Sequence, residues 1–273
     1  RQILQDEVGI SQVYNSLGVL YMEWKNYNDA LTFFKKSLQL EKKLENKRRI
    51  SDCLNNIGLI YKYNKKYTIA IEYFNRSLEI RKEISNKSGI ATSLNNLGIA
   101  YNALGNYIQA INYYKRSLEI NKEIGIEQGI AISLYTLGEA YMNTNNKKEA
   151  IKYFLECQKL AEKIELNEKL IFVYENLSII YYSLNKKEKF NEYHTLYNNL
   201  QDSIFNKEKH QQLADFRVQY ETREKEQQIE ILSKTNEIER LRSQRNLIIA
   251  AILAVIIILF IIIGMLWYRK NKY

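Results

Sequence analysis

Leu94, Leu97 and Tyr101 stand three and then four residues apart, the spacing that lines one face of an α-helix. The pattern returns every 40 residues. Leu17-Gly18, Ile57-Gly58, Leu97-Gly98 and Leu137-Gly138 superimpose, with Leu177-Ser178 as a weaker fifth copy. Three residues on come Tyr21, Tyr61, Tyr101, Tyr141 and Tyr181. Further along stand Ala30, Ala70, Ala110 and Ala150, then Phe34, Phe74, Tyr114 and Phe154. The Gly and Ala columns mark places where two helices approach too closely for a larger side chain, and the aromatic column plugs the space beside them. Leu104-Gly105-Asn106 and Thr144-Asn145-Asn146 supply tight turns, since Gly and Asn tolerate left-handed backbone angles. Each copy is therefore a helical hairpin that must stack on its neighbours to bury its apolar face. In the fifth copy Ser178, Phe190 and His194 replace the Gly, the Ala and the aromatic, as suits a cap that hands over to another element.

The period then stops. Residues 201–246 hold no Gly or Pro and balance 9 basic against 9 acidic side chains. Their apolar positions thin to Leu213, Phe216, Tyr220, Ile231, Ile238 and Leu241, roughly heptad-spaced but interrupted by Gln227 and Lys234. Two readings stay open: a weak coiled coil pairing two copies into a homodimer, or a solvated single helix. Leu247 to Trp267 is an uncharged apolar run of 21 residues, enough helix for the ~30 Å core of a bilayer. Trp267 and Tyr268 suit the interfacial aromatic belt, and Arg269, Lys270 and Lys272 follow.

The Leu-Gly-x-x-Tyr, Ala and Phe columns resemble the tetratricopeptide repeat. The usual period is about 34 residues; the longer one here is similar to that of cell-polarity scaffold proteins and, nearly, of kinesin light chains, whose repeats bind peptides. Lys42, Lys82 and Lys122 stand where the family's proline falls, which suits longer second helices such as Ala110 to Ile124. The resemblance implies an all-α solenoid of helical hairpins, here followed by a helical stalk and one transmembrane helix. The expected organisation is 1–8 as the end of an earlier repeat, 9–200 as five repeats, 201–246 as stalk, 247–268 as span and 269–273 as the start of a cytoplasmic segment. The opening residues place the break because Arg1 to Ile10 align with Arg81 to Ile90.

This architecture also resembles the sensor region of bacterial membrane-bound signalling proteins of the histidine kinase or helix-turn-helix regulator type. That resemblance implies a single-pass inner-membrane protein, with its repeats outside the cytoplasm and its C-terminus inside. Arg240, Arg242 and Arg245 before the span match the three cations after it, so local charge sets no orientation. A passive membrane-tethered scaffold for complex assembly is the alternative reading.

Composition narrows the function further. Proline is absent, and only 10 glycines occur against 22 tyrosines, which disfavours a sheet protein. The net charge of +9 is spread thinly, with 28 basic and 22 acidic residues over 1–200, so no stripe suits a nucleic-acid backbone. Cys53 and Cys157 make no framework, and Cys157 falls in the column of Ser37, Ser77 and Ser117 as a small core residue. His194 and His210 lack metal-ligand spacing, and no phosphate loop, dinucleotide fingerprint or nucleophile elbow occurs. No enzyme, cofactor or metal site is expected.

The partner expected is a protein or peptide. The inner faces of the first helices carry Asn15, Ser16, Asn55, Asn56, Asn95, Asn96, Tyr135, Thr136, Glu175 and Asn176. An amide offers both a donor and an acceptor, which matches a peptide backbone without demanding a particular side chain. The competing reading is that these amides bond the neighbouring repeat. Both stay open from sequence.

Overall fold

The structure, a computed structural model, describes the backbone of residues 2–270. Of these, the side chains of residues 2–6, Glu208, Ala250, Ala254, Ile257, Phe260, Ile261 and 267–270 lie outside the description. Ten helices follow one another: α1 Gln2–Glu23, α2 Tyr27–Lys43, α3 Lys47–Tyr63, α4 Tyr67–Glu83, α5 Lys87–Ala103, α6 Tyr107–Glu123, α7 Glu127–Asn143, α8 Lys147–Lys163, α9 Asn167–Ser183 and α10 Lys187–Lys270. They divide into two units, Arg1–Asp202 and Ser203–Tyr273.

Within the first unit α2 to α9 are each 17 residues long. From α3 to α8 the two helices of each hairpin are therefore equal in length, the first helix being as long as the second. The cause is a turn that recurs every 20 residues. Lys25, Glu45, Lys65, Ser85, Gly105, Gly125, Asn145, Glu165 and Asn185 all take a left-handed φ, between 53° and 77°. Each follows a helix end closed in the Schellman manner. At the second turn Asn46 N–H donates to Glu41 O at 3.1 Å, and Glu45 N–H to Lys42 O at 3.2 Å. Asn46 then caps the next helix, its Oδ1 accepting from Arg49 N–H at 3.2 Å. Asn26, Asn86, Asn106 and Asn146 repeat the cap. The first helix differs, running unbroken from Gln2 where the alignment places a turn at Gln5.

The columns read from sequence are the packing contacts of the hairpins. A Cβ on Gly18, Gly58, Gly98 or Gly138 would lie 2.4 to 2.6 Å from the ring of Phe34, Phe74, Tyr114 or Phe154. Those rings and Ala30, Ala70, Ala110 and Ala150 are shut off from solvent. A second lock ties the same helices. Ser37, Ser77 and Ser117 donate from Oγ to the carbonyls of Ser11, Ser51 and Ala91 at 2.8 to 3.0 Å. Cys157 keeps the geometry, its Sγ donating to Ala131 O at 3.2 Å, and burial pushes its thiol up to about 12. Both cysteines are free.

A third recurring contact joins residues 36 apart: Glu7 with Lys43, Lys47 with Glu83, Lys87 with Glu123, and Glu127 with Lys163. The middle two pairs reverse the signs of the outer two while the pairing stays. Such exposed pairs contribute little stability. In the fifth copy Tyr181 still stacks on Tyr193 at 5.5 Å, but Phe190, His194 and Tyr197 stack along α10 in place of the usual Ala and aromatic columns.

In the second unit Leu213, Phe216, Tyr220, Ile231, Ile238 and Leu241 stand exposed along α10. The structure does not bear out the expected span at 247–268. Among the described residues no helix is long and apolar enough to cross a membrane. The backbone there is unbroken α-helix.

Candidate functional site

The asparagines read from sequence are brought together in pairs 41 residues apart. Each pair joins the first helix of one hairpin to the first helix of the next. Asn56 Nδ2 donates to Asn15 Oδ1 at 3.2 Å, and Asn96 Nδ2 donates to Asn55 Oδ1 at 2.9 Å. Thr136 Oγ1 reaches Asn95 Oδ1 at 3.3 Å, though the same hydroxyl also lies 3.1 Å from the Ile132 and Ser133 carbonyls. Asn102 and Asn143 make a further rung of the same spacing at 3.1 Å. The amides therefore do bond the neighbouring repeat.

That bonding uses half of each amide. Among the described residues nothing accepts from Nδ2 of Asn15, Asn55 or Asn95, and nothing donates to Oδ1 of Asn56 or Asn96. None of these atoms is both shut off from solvent and unpartnered. Each Asn–Asn rung thus leaves one donor and one acceptor, the pair that a peptide unit requires. Asn15, Asn56 and Asn95 are half-buried, while Asn55 and Asn96 are buried.

The fourth copy departs from this arrangement. Tyr135 is buried, its ring 5.9 Å from that of Phe154 and 6.1 Å from that of Phe172. Lys169 lies over it at 5.2 Å. Burial holds its hydroxyl above the ordinary phenol range. Asn176 turns back on its own helix, Nδ2 donating to Phe172 O at 2.8 Å. Glu139 occupies the column of Val19, Leu59 and Ile99, each of which packs against a core cluster. Burial raises its carboxyl above the usual carboxylate range, partly opposed by Tyr135 and Lys169.

Two features escaped the reading of the sequence. Tyr21, Tyr61, Tyr101, Tyr141 and Tyr181 stack on Phe33, Tyr73, Tyr113, Tyr153 and Tyr193, with ring centroids 5.3 to 5.5 Å apart and planes within 18°. The signal was present, as an aromatic column 12 residues after the Tyr column. The other is a buried polar column, Glu41, Arg81 and Asn121. Arg81 ties α4 to α3 and α5, donating to Asp52 Oδ1 at 2.8 Å, Gly89 O at 2.9 Å and Ser93 Oγ at 2.8 Å. Gly89 is required here, since a Cβ on it would lie 2.8 Å from Arg81 Cδ. Among the described residues no group of three or more His, Cys, Asp or Glu is placed to hold a metal.

No curated protein matches the chain in sequence. Among solved structures, aspartyl phosphate phosphatase F from Bacillus subtilis superimposes with a TM-score of 0.68 at 19% identity, over 74% of this chain and 53% of that one. The chain therefore spans about half the length of that protein. A putative kinesin light chain repeat protein of Podosopora anserina gives 0.59 at 15% identity, over 71% of this chain and 96% of that one. A Rap protein solved in complex with Competence and Sporulation Factor gives 0.55 at 16%, over 73% and 66%. At these identities the likeness is one of fold. In sequence, the tetratricopeptide repeat matches residues 9–83, 49–123 and 89–163. These matches run together over 9–163, more than half of the 273 residues, and the chain belongs to the tetratricopeptide-repeat family.

Proposed function

We propose that the repeats hold an extended peptide or protein segment by its backbone along the Asn face, as the sensor region of a membrane-anchored bacterial signalling protein. The observation that carries the reading is the half-used rung. Asn15, Asn55 and Asn95 spend an oxygen on the next hairpin and keep an NH2 group, while Asn56 and Asn96 keep an oxygen. Family membership supports a protein-interaction module, and a protein of similar fold is solved in complex with Competence and Sporulation Factor.

The apolar run Leu247 to Trp267 supports an anchor, since ~20 such residues suffice to span a bilayer core. The sensor architecture that the chain resembles places the repeats on the periplasmic side and residues 269–273 in the cytoplasm. Pairing of two chains along Leu213, Phe216, Tyr220, Ile231, Ile238 and Leu241 would let a change in the repeats shift or rotate the helix entering Leu247.

Selection of a random peptide library against the full chain in detergent tests the binding reading. Asn15→Asp and Asn95→Asp keep the oxygen that each rung uses and remove the free donor. Selected peptides should lose about fivefold in affinity per donor, the worth of one net hydrogen bond. Unchanged affinity in the double variant would refute a backbone-directed face.

A further inference from the structure

The cleft between α1, α2 and α3 has a volume of about 510 Å³, whereas its equivalent two hairpins further on, between α5, α6 and α7, has about 150 Å³. The difference follows from three substitutions in the repeat. In the smaller cleft Asn121 donates to Ser133 Oγ at 3.3 Å, and Gly129 makes room for it. In the larger cleft the same columns hold Glu41, Cys53 and Arg49. A carboxylate cannot donate to the column at Cys53, whose Sγ pairs with Ser37 Oγ at 3.3 Å. Glu41 turns instead to Ser11 Oγ at 2.7 Å, and the space beside it stays open.

Glu41 is left incompletely partnered. Its side chain is 1% exposed, and its second oxygen, Oε2, has no hydrogen-bond partner. Its nearest cation, Arg49, reaches only the other oxygen, at a long 3.4 Å. With the Gln12 amide turned so that its oxygen faces the guanidinium, Arg49 also donates to Gln12, at 3.0 and 2.5 Å, both shorter than its contact with Glu41. Asp52, at the same cleft, is engaged by Arg81. A buried carboxylate oxygen without a donor costs free energy that a charged donor would recover.

We propose that this cleft is a specificity pocket of the peptide-binding face, taking a cationic N–H donor of the bound peptide onto Glu41, with Arg49 yielding its place. Asn15 and Ser16 line both the cleft and the Asn face, so a peptide lying on the face can send one side chain or its amino terminus inward. The proposal rests on the reading of that face as a peptide groove and adds a charge requirement at one position. The shared chemistry is an ammonium or guanidinium. Its source is a lysine side chain, an arginine side chain or a free amino terminus.

The test uses the full chain in detergent and four probes: acetyl-Gly-Arg-Gly-amide, its lysine counterpart, its neutral citrulline counterpart, and Gly-Gly-Gly-amide with a free amino terminus. Binding is followed by saturation-transfer NMR at millimolar probe. At least one cationic probe should bind about tenfold tighter than the citrulline peptide, and which one does so identifies the source. Glu41→Gln should erase the preference. Arg49→Leu, which keeps Glu41 and removes the internal competitor, should increase it. A preference that is absent, that survives Glu41→Gln, or that fails to grow in Arg49→Leu overturns the pocket. The groove reading fails separately: equal binding of all three cationic probes and the citrulline probe that still weakens in Asn95→Asp sinks the pocket and spares the groove.

Discussion

Asn96 Nδ2 donates to Asn55 Oδ1 at 2.9 Å, joining two hairpins through residues 41 apart in the chain. The bond is buried, with Asn55 6% and Asn96 8% exposed. Removing either partner leaves the other amide poorly solvated. Asn96→Ala should destabilise by about 1 kcal/mol or somewhat more, and a double-mutant cycle with Asn55→Ala should show coupling of similar size. Chemical denaturation of the four proteins measures both, and additive losses would mean that the rung contributes nothing between repeats.

Gly98 faces Tyr114 so closely that a Cβ would sit 2.4 Å from the ring. Tyr114 is 2% exposed and has nowhere to move. Gly98→Leu should cost roughly 1–3 kcal/mol or more through overpacking. Thermal unfolding that matches the parent would contradict the packing register.

Glu139 gives the repeats a pH dependence. Burial lifts its carboxyl above the unfolded value, so the folded chain holds this proton more tightly than the unfolded one. Stability from this group is then fully present below the ordinary carboxylate range and is lost as pH rises through the raised value. Glu139→Gln should therefore stabilise the repeats near neutral pH and flatten the decline above the carboxylate range. Denaturation midpoints across that window check it, and a variant less stable at neutral pH would show that the Lys169 and Tyr135 contacts outweigh burial.

The sequence was most legible where one residue type must serve the same close contact in every copy. Gly18, Gly58, Gly98 and Gly138 have to be small because a ring lies against each, so the column survives in plain view. The equal helix lengths were hidden because most of the left-handed turn positions are not glycine. Lys25, Glu45, Lys65 and Glu165 take a left-handed φ as Gly105 does, with no compositional mark. The fate of the asparagines was also hidden. Their type announced a donor and an acceptor, but only the stacking of hairpins reveals that residues 41 apart share one bond and leave the other half free. Glu41, Arg81 and Asn121 share a column yet differ in charge, so no column reading would have joined them.

The proposed anchor makes a topological prediction. Single cysteines at Ser203 and Asn271, in a background with Cys53 and Cys157 replaced, should label differently in intact cells. A membrane-impermeant thiol reagent should reach the Ser203 site and not the Asn271 site. The opposite pattern would place the repeats inside, and equal labelling would remove the span.

The claim that the Asn face reads peptide backbone is tested most directly by scanning a selected peptide with N-methyl groups. An extended strand turns alternate residues toward the surface it lies on. Calorimetric titration of the full chain should then show losses of about fivefold or more when alternate backbone N–H groups are methylated, and small changes when most side chains are cut to alanine. Affinity that survives every N-methylation but collapses on loss of one side chain would contradict the account.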